Sequence, residues 1–269
     1  MRQGRPKPEI LRPSWLRRED LWGGFCTRRG GYGEGVFAEL NFSWKWSERG
    51  CMADENHDLL ALSEGYERKN LYLVKQVHGS HGFSAETTTP EESIKTPGDF
   101  ITSSRVGDVC AVITADCVPV LIFDATVPCV AAVHSGWRGT LARVGEAAVK
   151  VLSQLYGSRP ENMMVALGPA IGLCCFEVGE DVESEFNRVF PSVASISKGA
   201  EGGSDRPHVD LKKIILHTLH QCGVRPQNVE VLGGCTYCDE EKYFSYRRDG
   251  SPLGQHMSFI GLKGTVNSI

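Results

Sequence analysis

The chain has 269 residues, 41% of them hydrophobic, and a formal net charge of −4. A chain of this size buries a substantial core, and its slightly acidic balance argues against non-specific nucleic-acid binding. No apolar run reaches the ~20 residues of a membrane span, so we expect no membrane association. Ten cysteines without a signal segment predict a reducing, cytoplasmic location rather than a disulfide scaffold.

The N-terminal part of the chain predicts an arm followed by turns. Residues 1–20 contain prolines among charges and predict a flexible arm, so we expect one catalytic domain over residues 21–269. The glycine-rich stretch 22–35 predicts tight turns. Arg28 or Arg29 in this stretch is a candidate ligand for an anion, although the sequence alone favours two solvated arginines beside a hairpin.

The next segments predict alternating elements. An amphipathic helix is predicted over residues 54–69 and a strand over 71–79, which ends at His78 and Gly79. Residues 84–98 are polar and predict a loop, and Val109–Thr114 predicts a buried strand.

The remaining elements follow in the same alternating order. They are strands over Val118–Phe123 and Cys129–Val133, a glycine-flanked turn and long helix to about Tyr156, a strand and turn over 163–179, a helix to about Phe190, a loop over 195–206, an amphipathic helix that ends at Gly223, a strand from Val229, and a final strand over 256–262.

Chemically capable residues lie at the ends of the two central strands. Asp116 and Cys117 come directly before the first, and His134 and Arg138 follow the second. If the two strands are neighbours, these ends meet and bring a thiol, an imidazole, a carboxylate and a guanidinium to one place. We therefore predict that this is the active site.

A metal site is one interpretation of these residues. His78, Cys117 and His134 each begin or end a predicted core strand. Two imidazoles and a thiolate leave a fourth position on zinc for water or substrate, and zinc lowers the pKa of its bound water to about 7. The separations form no local motif, so a buried cysteine with two hydrogen-bonded histidines explains the pattern equally well.

Three other groups resemble metal or redox motifs. Cys235 and Cys238 form a lone C-x-x-C pair, Cys174 and Cys175 are adjacent, and His217-x-x-His220 lies on an amphipathic helix. No second C-x-x-C accompanies the first. We interpret all three groups as structural.

A different reaction class uses Cys117 directly. A thiolate nucleophile with His134 as base and Asp116 or Glu177 as the orienting acid would give a cysteine-type hydrolase or amidase. A non-enzymatic metal-binding protein is a further alternative, although it leaves the arginine and aspartate beside the ligands unexplained. The sequence leaves these alternatives open.

Six motifs in order resemble the YfiH-like family, also called the laccase-domain or polyphenol oxidoreductase family. They are KQVHGS (75–80), TADCVPVLIFD (114–124), AAVHSGWRGT (131–140), LGPAIGLCCFEVG (167–179), CT (235–236) and FSYRRDG (244–250). The resemblance covers about residues 22–262. It implies an α/β (α+β) single domain, with a mixed β-sheet sandwich between helical layers in the order α-β-β-α.

The resemblance also implies a zinc site of His78, Cys117 and His134 and an activity on purine nucleosides. The implied reactions are phosphorolysis of adenosine, inosine, guanosine and methylthioadenosine, with inorganic phosphate as co-substrate, and hydrolytic deamination of adenosine. No nucleic-acid or membrane partner is expected, and we expect a monomer.

We assign roles within that activity as hypotheses. Asp116 or Glu177 would carry protons. Arg138, Arg28 and Arg247 would hold phosphate through bidentate guanidinium contacts. The aromatic ring of Phe244 would stack on the base.

Departures from the family pattern bear on substrate preference and on the metal. Phe176 replaces the usual tyrosine of CYEVG, and Gln255 replaces the usual arginine of a Gly-Arg pair. The chain has eight histidines, none in an H-x-H pair, whereas a multicopper oxidase needs about ten. Laccase chemistry is therefore not expected, and copper would be an adventitious metal at the His-Cys-His site.

Overall fold

The computed structural model describes residues 5–46, 50–193, 196–198 and 206–264. Two mixed β-sheets pack face to face, and helices cover both outer faces. The strands are β1 (Ile10–Leu11), β2 (Leu21–Cys26), β3 (Leu71–Leu73), β4 (Gly82–Ser84), β5 (Phe100–Ser103), β6 (Val109–Thr114), β7 (Val118–Asp124), β8 (Cys129–Ser135), β9 (Met163–Leu167), β10 (Ile196–Lys198), β11 (Pro207–Val209), β12 (Val229–Val231) and β13 (His256–Leu262).

The helices occupy the segments between these strands. They are α1 (Ala53–Glu64), α2 (Pro90–Ser93), α3 (Trp137–Leu141), α4 (Val144–Tyr156), α5 (Glu180–Val189), α6 (Leu211–Gln221) and α7 (Tyr246–Asp249), with single 3₁₀ turns between several of the elements. No helix in the described ranges is long and apolar enough to cross a membrane.

Both large sheets contain parallel and antiparallel pairs. One has five strands in the order β1-β2-β13-β6-β3, and the other has six in the order β12-β9-β7-β8-β5-β4. In the second sheet β7 pairs antiparallel with β8, so that Val118 lies opposite Ser135. This register places the start of β7 beside the end of β8, as the site prediction requires.

Three hydrophobic clusters confirm the predicted α-β-β-α layers. One lies between the two sheets and includes Phe25 and Leu121. A second joins the outer face of the six-stranded sheet to α4 and α6, and a third joins the five-stranded sheet to α1. Strands β7 and β8 are buried along their whole length because both faces are covered.

The arm predicted over residues 1–20 is wrong where the structure describes it. Ile10 and Leu11 pair antiparallel with β2, and the side chains of Trp15 and Leu16 are buried between the sheets. Burial of these apolar side chains outweighs the extending effect of the prolines. Residues 1–4 lie outside the described residues.

Several predicted bounds also differ from the structure. The helix predicted to Tyr156 divides into α3 and α4 at Arg143, which has a positive φ of 58°. The strand predicted over 71–79 ends at Leu73. The predicted loop 84–98 contains the short helix α2, which begins with a capping box at Thr89. The loop predicted over 195–206 lies mostly outside the described residues, although 196–198 form β10.

Candidate active site

The polypeptide crosses from one sheet to the other at the predicted site. Strand β6 belongs to the five-stranded sheet and β7 to the six-stranded sheet, so residues 115–117 bridge the two layers. Cys117 therefore lies at the start of β7, beside His134 at the end of β8. The sulfur of Cys117 and ring nitrogens of His78 and His134 lie within 4.8 Å of one another. The predicted trio is thus brought together.

His78 reaches the trio from a strained turn after β3. Its φ is 60°, in the left-handed region that few non-glycine residues adopt. The carboxylate of Asp99 holds this turn, because it accepts hydrogen bonds from the backbone N–H of His78 at 2.9 Å and of Gly79 at 2.6 Å. The ring of His78 meets that of His134 edge to face, with centroids 4.8 Å apart.

Asp99 also fixes the second histidine. Its Oδ1 lies 2.8 Å from Nδ1 of His134, and its backbone carbonyl accepts the N–H of His134 at 2.7 Å. The Asp99 side chain is fully buried. A carboxylate on one ring nitrogen directs the other toward a metal and orients the ring, as is usual for metal-bound histidine.

The electrostatics favour a thiolate at Cys117. Burial acts to raise its pKa, but the charge of His134 and hydrogen bonds with both histidines outweigh burial and lower the pKa to about 6. Burial acts to lower the pKa of His134, yet the Cys117 charge and the Asp99 hydrogen bond raise it to about 9. Each group thus stabilises the charged form of the other, the thiolate of Cys117 and the imidazolium of His134.

The residues present fit a metal ion. A methyl group added at Gly136 would lie 2.6 Å from Nδ1 of His78 and 3.1 Å from the Cys117 sulfur. The absence of a side chain at Gly136 therefore leaves room for the rings and the sulfur of the trio. One thiolate and two imidazoles suit zinc and leave a fourth coordination position. Zinc therefore remains the predicted metal.

The trio opens into a cavity of about 1060 Å³, which is lined by both apolar and polar groups. Typical small-molecule sites enclose roughly 300–1,000 Å³. Arg138 on α3 lines this cavity, and its guanidinium lies 4.1 Å from the centre of the Trp137 ring. Within the described residues Arg138 forms no ion pair, so its charge is available to an anion in the cavity.

Arg247 and Glu177 also line the cavity, on the wall formed by α7 and the segment after β9. Nη1 of Arg247 donates to the backbone carbonyl of Glu177 at 2.9 Å. The Glu177 carboxylate lies 3.2 Å from Arg206. Both predicted residues are therefore within reach of a bound ligand.

Asp116 borders the cavity, but both of its carboxylate oxygens are occupied. Oδ1 accepts the hydroxyl of Thr236 and Oδ2 the backbone N–H of Arg247, each at 2.6 Å. Its φ of 88° is strained. These contacts favour a role in positioning the adjoining loops over one in proton transfer or in orienting His134.

Two predicted substrate residues lie outside the cavity. Phe244 is fully buried in a small cluster with Ala115 and Leu253, so its face is closed to a base. Arg28 packs over the Phe244 ring and donates to the carbonyls of Ala38 and Glu240. Neither predicted role fits this packing, because Phe244 has no exposed face and the Arg28 guanidinium is held by that ring and two backbone carbonyls.

Sequence reasoning missed two features. The sequence did contain a signal for Asp99, because this acidic residue directly precedes Phe100 and Ile101, the apolar first half of strand β5. The sulfurs of Cys174, Cys175, Cys235 and Cys238 lie within 4.8 Å of one another, although each pair was interpreted alone. The first two cysteines are about 60 residues from the other two in the sequence, so the residue spacing did not reveal the group of four.

The fold and the site define a small-molecule-binding protein with a His-Cys-His centre suited to a metal. The family model described as multi-copper polyphenol oxidoreductase laccase matches residues 23–263, and the chain belongs to this family. In the described ranges, two groups of side chains could hold a metal ion, and neither resembles the His-rich sites of a multicopper enzyme.

Relatives of known name are similar over most of the chain. The "Purine nucleoside phosphorylase YfiH" of Shigella flexneri is 34% identical over 258 residues, which cover 94% of this chain and 99% of that protein. The mouse "Purine nucleoside phosphorylase LACC1" is 32% identical over 89% of this chain. The match spans only about half, 55%, of the mouse and human LACC1 proteins.

Solved structures confirm the fold. A hypothetical protein YfiH from Bacillus licheniformis superposes with a TM-score of 0.85 at 26% identity, covering 96% of this chain and 97% of that one. YlmD from Geobacillus stearothermophilus superposes with a TM-score of 0.82 at 27% identity, covering 91% and 93% of the two chains.

Proposed function

We propose that this chain is a zinc-dependent purine nucleoside phosphorylase. It cleaves adenosine, inosine, guanosine and methylthioadenosine with inorganic phosphate, and it also deaminates adenosine hydrolytically. Relatives named purine nucleoside phosphorylase support an enzyme of this class. One observation carries the proposal: a nucleoside-sized cavity holds the metal-competent trio and an arginine with no ion-pair partner among the described residues.

Arg138 binds phosphate in this proposal. Its fork of N–H donors matches phosphate oxygens, and Arg247 on the facing wall adds a second positive charge. An oxygen of hydrogen phosphate then bonds to C1′ of the sugar as the C1′–N9 bond breaks, and the proton of the hydrogen phosphate passes to the leaving purine. The anion held at the cavity wall stabilises the positive charge that develops on the sugar.

The base lies against an aromatic wall. Tyr246 and Trp137 both line the cavity, and Tyr246 is 57% exposed. We assign base stacking to Tyr246, because Trp137 already carries the Arg138 guanidinium on its ring.

The metal site serves the deamination. His78, Cys117 and His134 would hold a zinc ion, which would supply an activated water at neutral pH. Glu177, which lines the cavity and whose carboxylate pairs with Arg206, carries the proton to the leaving ammonia. Glu177→Gln should reduce deamination of adenosine and leave phosphorolysis of inosine largely intact.

The test is turnover of inosine by purified protein with and without phosphate. We expect hypoxanthine and ribose 1-phosphate only when phosphate is present. Arg138→Met should raise the phosphate KM by at least tenfold, whereas Arg159→Met, an exposed arginine outside the cavity, should leave it unchanged. Release of hypoxanthine without phosphate, or no turnover by zinc-loaded protein, would refute the phosphorylase assignment.

The cysteine hydrolase keeps one specific observation in its favour. Cys117 contacts His134, and His134 contacts Asp99, so the three could act as nucleophile, base and orienting acid. Asp99 thus occupies the position that Asp116 or Glu177 was predicted to hold. Rapid alkylation of Cys117 in zinc-loaded protein at neutral pH, with no nucleoside turnover, would favour this function.

A further inference from the structure

The second cysteine group lies apart from the His-Cys-His trio, on two surface loops. Cys174 and Cys175 belong to the turn after β9, and Cys235 and Cys238 to the loop after β12. The two loops are joined by an isolated β-bridge between Ala170 and Cys235. Cys174 and Cys238 are exposed and the other two are half-buried, whereas structural cysteines are usually enclosed in a core.

The distances among the sulfurs match a single tetrahedral ion. All four lie within 4.8 Å of one another. Cys238 lies 3.3 Å from Cys175 and 3.7 Å from Cys174. Four sulfurs at about 2.3 Å from zinc are separated by about 3.8 Å along each edge of the tetrahedron. The four thiols are therefore already arranged at the spacing that one ion requires.

The local backbone explains how adjacent cysteines share one ion. The N–H groups of Cys175 and Phe176 both bond to the carbonyl of Gly172, which gives a helical turn. Successive side chains in such a turn diverge by about 100°, whereas in a strand they point to opposite faces. Adjacent cysteines point apart in a strand and do not share one ion, whereas in this turn both sulfurs can reach the same ion.

Backbone N–H groups are directed at the sulfur of Cys235. The sulfur of Cys235 accepts the backbone N–H of Gly172 at 3.2 Å, and the N–H groups of Tyr237 and Cys238 also bond to it. A side chain at Gly172 would crowd the sulfurs of Cys174 and Cys235.

Two cations, Lys212 and Arg247, would partly offset the net charge of −2 of a zinc ion bound by four thiolates. The Lys212 ammonium interacts electrostatically with Cys235. Nη1 of Arg247 lies 3.5 Å from the backbone carbonyl of Cys175.

We propose that Cys174, Cys175, Cys235 and Cys238 bind a structural zinc ion that staples the two loops together. On binding, Zn²⁺ displaces the thiol protons and forms four Zn–S bonds, with no change in oxidation state. All four positions are filled by protein, which is typical of structural and not of catalytic zinc.

The staple fixes one wall of the cavity. The turn that carries Cys174 and Cys175 continues directly into Phe176 and Glu177, which line the cavity. The second loop supplies Thr236, whose hydroxyl bonds to Asp116, and leads to Arg247 on α7. Loss of the ion should therefore loosen residues 170–178 and 234–248 and leave the two-sheet core intact.

The experiment uses the full chain purified under reducing conditions without chelator. Because Cys117→Ser removes the thiolate of the other site, the zinc that remains in this variant reports on the four cysteines. Native mass spectrometry should find one zinc per chain, and X-ray absorption should find four sulfur neighbours at about 2.3 Å. This readout does not depend on nucleoside turnover, so the proposal and the proposed function can fail separately.

Variants of the group give the complementary result. Cys174→Ser with Cys238→Ser should lose one zinc from the otherwise unaltered protein and increase hydrogen exchange in residues 170–178 and 234–248. Cys222→Ser, a half-buried cysteine outside the group, should change neither. If the double variant does not fold, the measurements on Cys117→Ser still decide.

Three results would overturn the proposal. The first is no zinc in Cys117→Ser after incubation with zinc under reducing conditions. The second is a Cys175–Cys238 disulfide, found by mass spectrometry of peptides from protein that was isolated without added reductant. The third is iron in place of zinc, which would show that the four thiolates hold a different centre.

Discussion

The contacts of Asp99 make Asp99→Asn the sharpest test of the metal site. The carboxylate accepts hydrogen bonds from the backbone N–H groups of His78 and Gly79 and from Nδ1 of His134, at 2.6 to 2.9 Å. An asparagine has the same shape but only one acceptor oxygen. One of its two orientations turns the amide NH₂ toward the N–H of Gly79. The other turns the NH₂ group toward the N–H of His78 and toward Nδ1 of His134. Nδ1 must then accept a hydrogen bond, so the His134 proton moves to Nε2, the nitrogen that the metal needs.

The expected loss follows from either orientation. Removal of a carboxylate behind a metal-bound histidine costs about 10–100-fold in metal affinity, or about 1.4–2.7 kcal/mol. A buried N–H left without an acceptor costs a further ~1–3 kcal/mol of folding free energy. We therefore expect Asp99→Asn to bind zinc at least tenfold more weakly and to unfold at lower denaturant concentration.

The assay is zinc affinity by competition with a chelator, together with urea unfolding of metal-free protein. Asp124→Asn is the matched control, because Asp124 is also fully buried and accepts hydrogen bonds from Thr126 and Ser158. It lies at the far end of β7, roughly 20 Å along the strand from Cys117. It should lose stability and keep its zinc affinity. Equal zinc affinity in Asp99→Asn and the wild type would refute the reasoning.

Three further predictions concern space, protons and packing. Gly136→Ala should weaken zinc binding in a chelator competition, since its methyl group would lie 2.6 Å from the His78 ring; unchanged affinity would show that the ring moves freely. Burial lowers the pKa of His256 to about 3, so the unfolded state takes up the extra proton. Stability is full above pH ~6.5 and falls as pH drops toward 3, by about 2 kcal/mol at pH 5. In urea unfolding at pH 4–7, His256→Gln should reduce the slope of unfolding free energy against pH by the equivalent of about one proton. An unchanged slope would contradict the lowered pKa of His256. Arg28→Met should lower the unfolding temperature, because it removes the cover of Phe244, and leave the phosphate KM unaltered; a raised KM would return Arg28 to the site.

Much of the site could be predicted from sequence because the key groups follow strongly patterned strands. The apolar runs before His134 and after Cys117 predict neighbouring strands, and the structure places their ends side by side. Six ordered motifs also predicted the family and the layered fold. The bounds of β7 and β8 differ from the prediction by one or two residues.

The roles of individual side chains were less predictable, because direction and burial depend on packing. Arg28 and Phe244 have suitable chemistry, but the two side chains pack against each other and Phe244 is fully buried. Asp116 directly precedes the cysteine, yet its carboxylate is occupied by groups 120 and 131 residues away in sequence. No local pattern encodes those partners.

The sequence by itself determined the two central strands and the residue types of the metal-competent trio at their ends, since hydrophobic periodicity is a local property of the chain. The layer order was implied by the family resemblance. Only the tertiary structure decided that Asp99 orients both histidines and that two separate cysteine pairs converge on one point. Such contacts join segments 20 to 64 residues apart. Their geometry exists only after the two sheets pack and the loops between strands are fixed.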